Sequence, residues 1–349
     1  MTAIKMQRIG VTGLEITSFG LGGTGLGNMY QAVEEDAALE LVAAAYQAGV
    51  RYFDTAPCYG LGLSEMRLGR ALAGLTRRQF VVSTKVGYSL VPLAPGEDSW
   101  TLWDKSPPMR TEFDFSYDAA MRSIEGSLER LNLDRVDMVA IHDPDEGVGN
   151  DSSSDPYVKS HFREAMDGAF RALHSLRRQG AIGALGVGIN QWQMLTDFAR
   201  EGEFDYFLLA GRYTLLDHAS AKTLLPLCIE RNIKVVVGGP FNSGILASGA
   251  VSGAYYNYAA APAKILTRVR QMEELCARFN ISLRAAALQF PLGHPAVVSV
   301  IPGARSTTEL DENIAALHEP IPTEFWRALQ TQRLIDESVP LPEALNQAR

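Results

Sequence analysis

Short apolar runs alternate with longer amphipathic segments along most of the chain. The short runs are rich in β-branched and aromatic residues, as in buried strands, whereas the longer segments repeat apolar residues every three or four positions, as in helices. The predicted strands are TSFGL, RYFDTA, QFVVSTK, RVDMVAIH, AIGALGVG, FDYFLLAG, IKVVVGG and AVVSVIPG. The helices predicted to follow them are EEDAALELVAAAYQAG, SEMRLGRALAG, SYDAAMRSIEGSLERL, FREAMDGAFRALHSLRRQG, QWQMLTDFAREG, SAKTLLPLCIERN, PAKILTRVRQMEELCARFN and TTELDENIAAL.

This alternation is typical of an α/β fold, because parallel strands need crossover connections and these are usually helical. Eight pairs fit a (β/α)8 TIM barrel, and we expect residues 1–349 to form one domain. An open doubly wound sheet with an appended domain is the alternative, but no Pro- or Ser-rich linker divides the chain. Three long segments, 88–116, 143–160 and 242–261, each follow a predicted strand. In a barrel these are loops at the C-terminal face, where substrates bind.

Composition argues against several classes of function. The 349 residues are 46% hydrophobic and 21% charged, and a formal net charge of −8 offers no basic surface for nucleic acid. No apolar stretch has the length of a signal peptide or a membrane span, so we expect a cytoplasmic protein with no membrane partner. Cys58, Cys228 and Cys276 lie far apart, which predicts reduced thiols and neither a disulfide framework nor a metal site.

The stretch GLGGTG at residues 20–25 matches the G-x-G-x-x-G pattern of dinucleotide-binding loops. In such a loop a helix begins directly after the glycines, because its N-terminal amides hold the pyrophosphate. Here the first helical pattern begins only near Glu34. The stretch is therefore interpreted as a glycine-rich turn and not as a Rossmann fingerprint.

Polar residues with catalytic potential close three of the predicted strands. Asp54 ends RYFD, Lys85 ends VVSTK and His142 ends VAIH, and Tyr59 follows Asp54 by five positions. Taken singly, each has a structural alternative, such as a turn cap, a solvated lysine or a packed ring. In a barrel, however, the ends of several strands meet at one site. Lys85 would then pair with Asp54 and lower the pKa of Tyr59, which would act as the acid or base while His142 holds the substrate oxygen.

The segments DTAPCYG, VVSTK, IHDPD, LGVGIN and IPGARSTTELDEN occur in the order and at the spacing of the aldo-keto reductases, which the sequence resembles over nearly its whole length. The resemblance implies an (α/β)8 barrel that binds a nicotinamide cofactor without a Rossmann motif. It places the family's catalytic tetrad on Asp54, Tyr59, Lys85 and His142.

The resemblance also implies a set of cofactor-binding residues. The glycine turn would lie beside the nicotinamide, Asn190 would hold its carboxamide, and the loops after the seventh and eighth strands would hold the pyrophosphate and the adenosine. The positions are Gly22, Gly23, Asn190, Gly239, Pro240, Phe241, Ser243, Gly303, Arg305, Glu309, Glu312 and Asn313. The chain departs from the family pattern at Ile189, Ala210 and Gly238, where serine, glutamine and an aromatic residue are usual. Arg212 is either a compensating contact or part of a surface ion pair.

The cofactor is predicted to be NAD rather than NADP. Relatives that use NADP commonly place a cation where this chain has Glu309, and the lysine that often follows the eighth strand is replaced by Gly303. A carboxylate would repel a 2′-phosphate but accept a hydrogen bond from a free 2′-hydroxyl. Arg305 is the opposing evidence, and Glu309 is alternatively a helix N-terminal residue that complements the helix dipole.

Within the family, the segments GVGIN, AGRYTLLD and FDFSYD most resemble the aldose and pyridoxal dehydrogenase branch. That branch oxidises cyclic hemiacetals to lactones, either of L-fucose and D-threo sugars or of pyridoxal. The resemblance therefore implies a small-molecule substrate of this kind, and the sequence does not choose between the sugar and pyridoxal. Trp100, Trp103 and Tyr255 are candidates to contact the substrate ring, with loop packing as the alternative.

Other classes of function compete with a dehydrogenase. A Schiff-base lyase would use Lys85 as its nucleophile, and a regulatory protein would hold the nicotinamide cofactor without turnover. A metal hydrolase built on His142, Asp143 and Asp145 is less favoured, because no second pair of ligands accompanies them. The complete tetrad favours an enzyme over a regulatory protein.

Overall fold

Eight parallel strands form the centre of the structure, a computed structural model that describes residues 3–10, 12–97, 102–147, 155 and 157–342. The strands are β1 (Leu21–Gly22), β2 (Tyr52–Asp54), β3 (Val81–Val86), β4 (Met138–His142), β5 (Ala184–Ile189), β6 (Tyr206–Ala210), β7 (Lys234–Gly238) and β8 (Val297–Ile301). Each of the first seven pairs in parallel with the strand that follows it. Bridges from Phe19 to Val300 and from Gly22 to Gly303 join the two ends of the sheet. The predicted TIM barrel is therefore confirmed.

The barrel interior is filled by side chains and covered at one end by a hairpin. Its antiparallel strands, Met6–Ile9 and Leu14–Thr17, place Ile9 and Ile16 in the same buried cluster as interior residues such as Tyr206. Apolar periodicity did not predict this hairpin, because each of its strands has only four residues. With the amino-terminal end covered, the carboxyl end of the barrel is left to form a site.

Helices surround the barrel. They span Glu35–Gln47, Leu63–Leu72, Tyr117–Leu131, Phe162–Asp167, Ala169–Arg178, Trp192–Glu201, Leu224–Glu230, Ile245–Ser248, Ala263–Phe279, Leu283–Leu292, Thr307–His318 and Thr323–Thr331, with 3-10 turns at Arg77–Gln79 and Ala219–Lys222. The prediction of one continuous helix over 162–180 is wrong. The chain breaks at Gly168, where a Cβ atom would lie 2.3 Å from the Phe115 carbonyl oxygen. Within the described part of the chain, no helix is both long and apolar enough to cross a membrane.

The long loops after β3, β4 and β7 lie at the carboxyl ends of the strands, as predicted. The first contains an antiparallel hairpin of Tyr88–Pro92 with Met109–Phe113, and the third contains Tyr255–Tyr256 paired with Ala259–Ala260. Part of the second loop lies outside the described residues. These loops surround the end of the barrel at which the predicted catalytic residues lie.

All three cysteines are buried and free of disulfides, as predicted. Burial raises the pKa of Cys58, and it raises the pKa of Cys228 and Cys276 to about 12. The three thiols therefore stay protonated at neutral pH.

Candidate active site

Asp54 and Lys85 form a buried ion pair at the carboxyl ends of two neighbouring strands. The parallel register sets Asp54 of β2 opposite Ser83 of β3, so that Lys85, two residues further along β3, lies on the same side of the sheet. Lys85 Nζ is 2.7 Å from Asp54 Oδ2, and the two side chains are 1% and 3% exposed. Asp54 Oδ1 accepts a further hydrogen bond from Ser83 Oγ at 2.6 Å. Each buried charge is thus paired and hydrogen-bonded, as burial requires.

The Tyr59 hydroxyl is the next neighbour of this ion pair. Lys85 Nζ donates to Tyr59 Oη at 3.2 Å and to the Thr55 carbonyl oxygen at 2.8 Å. Together with Asp54, these acceptors use all three ammonium hydrogens. The turn after β2 therefore holds the phenol against the lysine.

Tyr59 is a neutral phenol in this environment. Burial raises the pKa of Tyr59 well above its ordinary value, and the negative charge of Asp54 raises it further. This direction is opposite to the lowering that the sequence led us to expect from Lys85. The physical reason is that burial disfavours the phenolate, while the lysine's charge is balanced by its own carboxylate partner. Tyr59 can therefore donate a proton, and it becomes a base only where further positive charge favours the phenolate.

His142 lies beside Tyr59, at the end of β4. The two rings meet edge to face with their centres 5.7 Å apart, and His142 is 7% exposed. Burial, followed by the positive charge of Lys85, lowers the pKa of His142 well below its ordinary value. The imidazole is therefore neutral and can donate one hydrogen bond to a substrate oxygen. The structure brings all four predicted tetrad residues together.

Asp143 is an acidic neighbour of His142. Its Oδ2 accepts a hydrogen bond from the Tyr88 hydroxyl at 3.1 Å and lies 3.6 Å from His142 Nε2. Burial, followed by the negative charge of Asp145, raises the pKa of Asp143 to about 7. Among the residues that the structure describes, no three His, Cys, Asp or Glu side chains are grouped as metal ligands. The acidic residues after β4 therefore give no support to a metal hydrolase.

The glycines at the end of β1 and in the turn after it are required by contacts within the protein. A Cβ atom on Gly23 would lie 2.7 Å from the Asp54 carbonyl oxygen, and one on Gly22 would lie 3.0 Å from the Ile301 carbonyl oxygen. The following helix begins only at Glu35, which agrees with the interpretation of GLGGTG as a turn. Gly22 and Gly23 lie next to the backbone of Asp54, and their contact with a cofactor stays a prediction.

Arg284 connects predicted cofactor residues after β7 with those after β8. Its guanidinium donates to Asn313 Oδ1 at 2.8 Å and pairs with Glu312 at 2.9 Å. The same group lies 5.7 Å from the centre of the Phe241 ring. Sequence reasoning missed Arg284, because no motif separates it from the other arginines of the helical surface.

The loop after β7 turns sharply through left-handed backbone. Gly239 has φ 55° and Ser243 has φ 62°, while Pro240 between them is buried. Ser243 Oγ accepts a hydrogen bond from the Tyr258 backbone N–H at 2.9 Å. The predicted pyrophosphate loop is therefore tied to the hairpin that follows it.

Asn190 and Arg212 hold that hairpin against the barrel. Asn190 Nδ2 donates to the Ala210 carbonyl oxygen at 2.9 Å, and its side chain also hydrogen-bonds with the Tyr258 hydroxyl. Arg212 is 2% exposed and donates to Asn257 Oδ1 at 2.9 Å. Arg212 also forms the ion pair that the alternative expected, with its Nε 3.8 Å from Asp217 Oδ2, but the loops after β6 and β7 bury Arg212, so the pair is not at the surface.

Glu309 lies in the first turn of the helix Thr307–His318 and is engaged there. Its Oε2 accepts a hydrogen bond from the Arg305 backbone N–H at 2.9 Å, and its Oε1 lies 3.4 Å from the Arg305 guanidinium. Its own backbone N–H donates to the N-cap residue Ser306 at 3.2 Å. These contacts favour the alternative interpretation, in which Glu309 stabilises a helix N-terminus. The choice between NAD and NADP stays a prediction.

The predicted substrate residues differ in how close they lie to the tetrad. Trp103 lies beside the tetrad, with its ring centre 5.7 Å from that of Tyr59. Tyr255 is half exposed and contacts Tyr30 at a ring-centre distance of 6.1 Å. Trp100 lies outside the described residues. Of the described candidates, Trp103 alone contacts a tetrad side chain through its ring.

Sequence reasoning missed two residues that contact His142. Tyr88 places its ring centre 5.1 Å from that of His142, and Cys58 Sγ lies 3.5 Å from His142 Nδ1. The adjacency of Cys58 and Tyr59 in DTAPCYG was the available signal. The direction of a side chain within a turn follows from the backbone angles of the turn and not from a sequence period. The contact of Cys58 with His142 could therefore not be predicted from this adjacency.

Curated relatives cover nearly the whole chain. A family model described as "Aldo/keto reductase family" matches residues 18–332. Pyridoxal 4-dehydrogenase from Microbacterium luteolum is 38% identical over 344 residues, which cover 96% of this chain and 99% of that protein. D-threo-aldose 1-dehydrogenase from Pseudomonas sp. is 37% identical over 328 residues, which cover 93% of this chain and 96% of that protein.

Solved structures share the barrel. The aldo-keto reductase AKR11C1 from Bacillus halodurans, in its holo form, has a TM-score of 0.74 at 22% identity and covers 96% of this chain and 98% of its own. The glycerol dehydrogenase AKR11B4 from Gluconobacter oxydans has a TM-score of 0.70 at 23% identity, with 99% of both chains covered. At such identities the likeness shows the fold alone. The family match and the two curated relatives carry the assignment further: the chain belongs to the aldo/keto reductase family of oxidoreductases.

Proposed function

We propose that this protein oxidises a cyclic hemiacetal of the L-fucose or D-threo-aldose type to a lactone, with NAD as the hydride acceptor. The observation that carries the proposal is the buried Lys85, bonded to both Asp54 and Tyr59 beside a neutral His142. The curated relatives support the substrate class, since both are named as dehydrogenases of compounds that form hemiacetals.

The tetrad residues divide the proton chemistry among themselves. His142 donates a hydrogen bond to the anomeric hydroxyl oxygen and orients it towards Tyr59. Tyr59 first loses its own proton to solvent, and the resulting phenolate takes the hydroxyl proton, so that the oxygen–carbon bond becomes the lactone carbonyl as the carbon loses hydride. Lys85, 3.2 Å from the Tyr59 oxygen, stabilises the phenolate that accepts the proton. Asp54 keeps the lysine in place.

The residues around this site fit a nicotinamide cofactor, which in this family supplies the hydride acceptor. The Asn190 amide oxygen can accept a hydrogen bond from a carboxamide, while its nitrogen donates to the Ala210 carbonyl oxygen. Arg305 is 45% exposed beside the loop after β8 and supplies positive charge for a phosphate group. Glu309, next to Arg305, supports NAD over NADP because a carboxylate disfavours a further phosphate.

Pyridoxal is the second candidate substrate, and Trp103 is the observation that favours it. The indole lies against Tyr59 and offers a flat apolar surface on which a pyridine ring can stack. Pyridoxal also forms a cyclic hemiacetal, so the same proton transfer to Tyr59 applies to it.

A screen of hemiacetals tests the proposal. The purified protein is incubated with L-fucose, D-arabinose, L-galactose or pyridoxal and with NAD or NADP, and reduced cofactor and lactone are both measured. We expect lactone from one sugar or from pyridoxal, and none from Tyr59→Phe. Reduction of open-chain aldehydes far more efficient than oxidation of every hemiacetal would show that the proposed direction is wrong.

Borohydride trapping distinguishes the proposed dehydrogenase from a Schiff-base lyase. Lys85 is 1% exposed and all of its ammonium hydrogens have acceptors, which disfavours attack on a carbonyl carbon. We therefore expect no covalent labelling when substrate and borohydride are added together. Labelling that is lost in Lys85→Met would favour a lyase. Cofactor binding without turnover of any substrate would favour a regulatory protein.

A further inference from the structure

Cys58 is a buried side chain of the active site to which the proton transfer assigns no role. It precedes Tyr59 in the turn after β2, and it is 8% exposed. Its Sγ lies 3.5 Å from His142 Nδ1, within hydrogen-bond distance for sulfur. The ring nitrogen that faces away from the carboxylate of Asp143 is therefore in contact with a thiol.

The chemistry of the two groups decides which of them donates. Burial, followed by the negative charge of Asp143, raises the pKa of Cys58, so the sulfur keeps its proton. The lowered pKa of His142 leaves its imidazole with a single proton. Sulfur is a weak acceptor, whereas an unprotonated imidazole nitrogen is a good one. The thiol therefore donates to Nδ1, and the ring proton resides on Nε2.

The opposite side of the ring favours the same arrangement. His142 Nε2 lies 3.6 Å from Asp143 Oδ2, which already accepts a hydrogen bond from the Tyr88 hydroxyl. Above a pH of about 7, to which its pKa is raised, Asp143 is ionised, and an ionised carboxylate accepts hydrogen bonds and does not donate them. A proton on His142 Nε2 is attracted to this carboxylate oxygen, whereas the lone pair of an unprotonated Nε2 would lie opposite a lone pair of that oxygen.

We propose that Cys58 is a positioning residue that holds His142 as the Nε2–H tautomer. In this tautomer the nitrogen opposite the thiol is a donor, as the proposed contact with a substrate oxygen requires. The tautomer itself is a property of the protein alone, so its measurement does not depend on the proposed substrate. The catalytic consequence rests on the proposed function.

Nitrogen NMR of the full-length protein, labelled with ¹⁵N-histidine, reads the tautomer directly. The chain has six histidines, and the His142 signals are assigned by their loss in His142→Asn. Cys58→Val removes the donor but keeps an apolar side chain, and Cys58→Ser keeps a donor. Cys228→Val is the matched control, because it removes another buried thiol that lies in the helix Leu224–Glu230.

We expect wild type, Cys58→Ser and Cys228→Val to show a proton on Nε2, and Cys58→Val to show a substantial population with the proton on Nδ1. For an active substrate, kcat/KM should fall about threefold to tenfold in Cys58→Val, the range expected for one hydrogen bond, with recovery in Cys58→Ser. A wild type protonated on Nδ1 overturns the proposal even if the variants do not fold. An unchanged tautomer in a folded Cys58→Val also overturns it, and both results leave the hemiacetal screen unaffected.

Discussion

Replacing Lys85 with methionine leaves the Asp54 carboxylate buried without its cation, and we expect this to reduce the free energy of unfolding severely. The two charges are 2.7 Å apart, with side chains that are 1% and 3% exposed. Coulomb's law with an effective dielectric constant of about 20 gives an attraction of about 6 kcal/mol at this distance. Because Asp54 keeps its hydrogen bond from Ser83, the net loss should be smaller, about 3–5 kcal/mol as for other broken buried pairs.

Urea denaturation of four proteins measures this loss. Asp54→Asn and the double variant Lys85→Met/Asp54→Asn complete the cycle with wild type and Lys85→Met. The double variant should be more stable than Lys85→Met alone, because it buries no unpaired charge. Lys159→Met is the matched control, since that lysine pairs with Glu146 at 3.2 Å but is 61% exposed, and its loss should cost only about 0–1 kcal/mol.

Two results would refute this reasoning about the buried pair. One is a Lys85→Met protein as stable as Lys159→Met, which would mean that the buried charges contribute no more than exposed ones. The other is a double variant whose loss equals the sum of the two single losses, which would mean that Lys85 and Asp54 do not interact.

Three further predictions concern Tyr59, Asp143 and the choice of cofactor by Glu309. Tyr59→Phe should lower kcat by about 10² to 10⁴ while the dissociation constant of the cofactor changes little, because only the ionisable oxygen is lost. Stopped-flow kinetics measures kcat, and fluorescence titration measures the dissociation constant. A variant of nearly full activity would remove Tyr59 from the mechanism. The pKa of Asp143 is raised to about 7, above its unfolded value of about 4, so its protonated form stabilises the fold at low pH and this contribution is lost as pH rises through about 7. Asp143→Asn should accordingly show a smaller fall in the free energy of unfolding between pH 5 and pH 8 than wild type, and an equal fall would contradict the raised pKa. Glu309→Arg should shift the ratio of kcat/KM for NAD and NADP about tenfold towards NADP, a change of about 1.4 kcal/mol, and an unaltered ratio would show that Glu309 acts only on its helix.

The barrel and the tetrad were predictable because both depend on regular features of the chain. The alternation of apolar runs and amphipathic segments indicates parallel strands, and the polar residue that ends each run must lie at the shared carboxyl edge. Asp54, Lys85 and His142 are found there for that reason.

Features that depend on contacts between distant segments were not predictable in the same way. Gly168 breaks a helix because the Phe115 backbone passes close to it, and the periodicity of a helix contains no sign of such an approach. The raised pKa of Tyr59 depends on how completely the surrounding loops bury the phenol. The contact of Cys58 with His142 depends on a turn whose backbone angles have no sequence period.

The three buried thiols are natural probes of local unfolding. Cys58 lies in the turn after β2, Cys228 in the helix Leu224–Glu230 and Cys276 in the helix Ala263–Phe279. Because burial both shields these sulfurs and keeps them protonated, an alkylating reagent can react only after the surrounding segment has opened. The rate at which each cysteine is modified therefore measures how often its own region of the barrel unfolds, without any introduced probe.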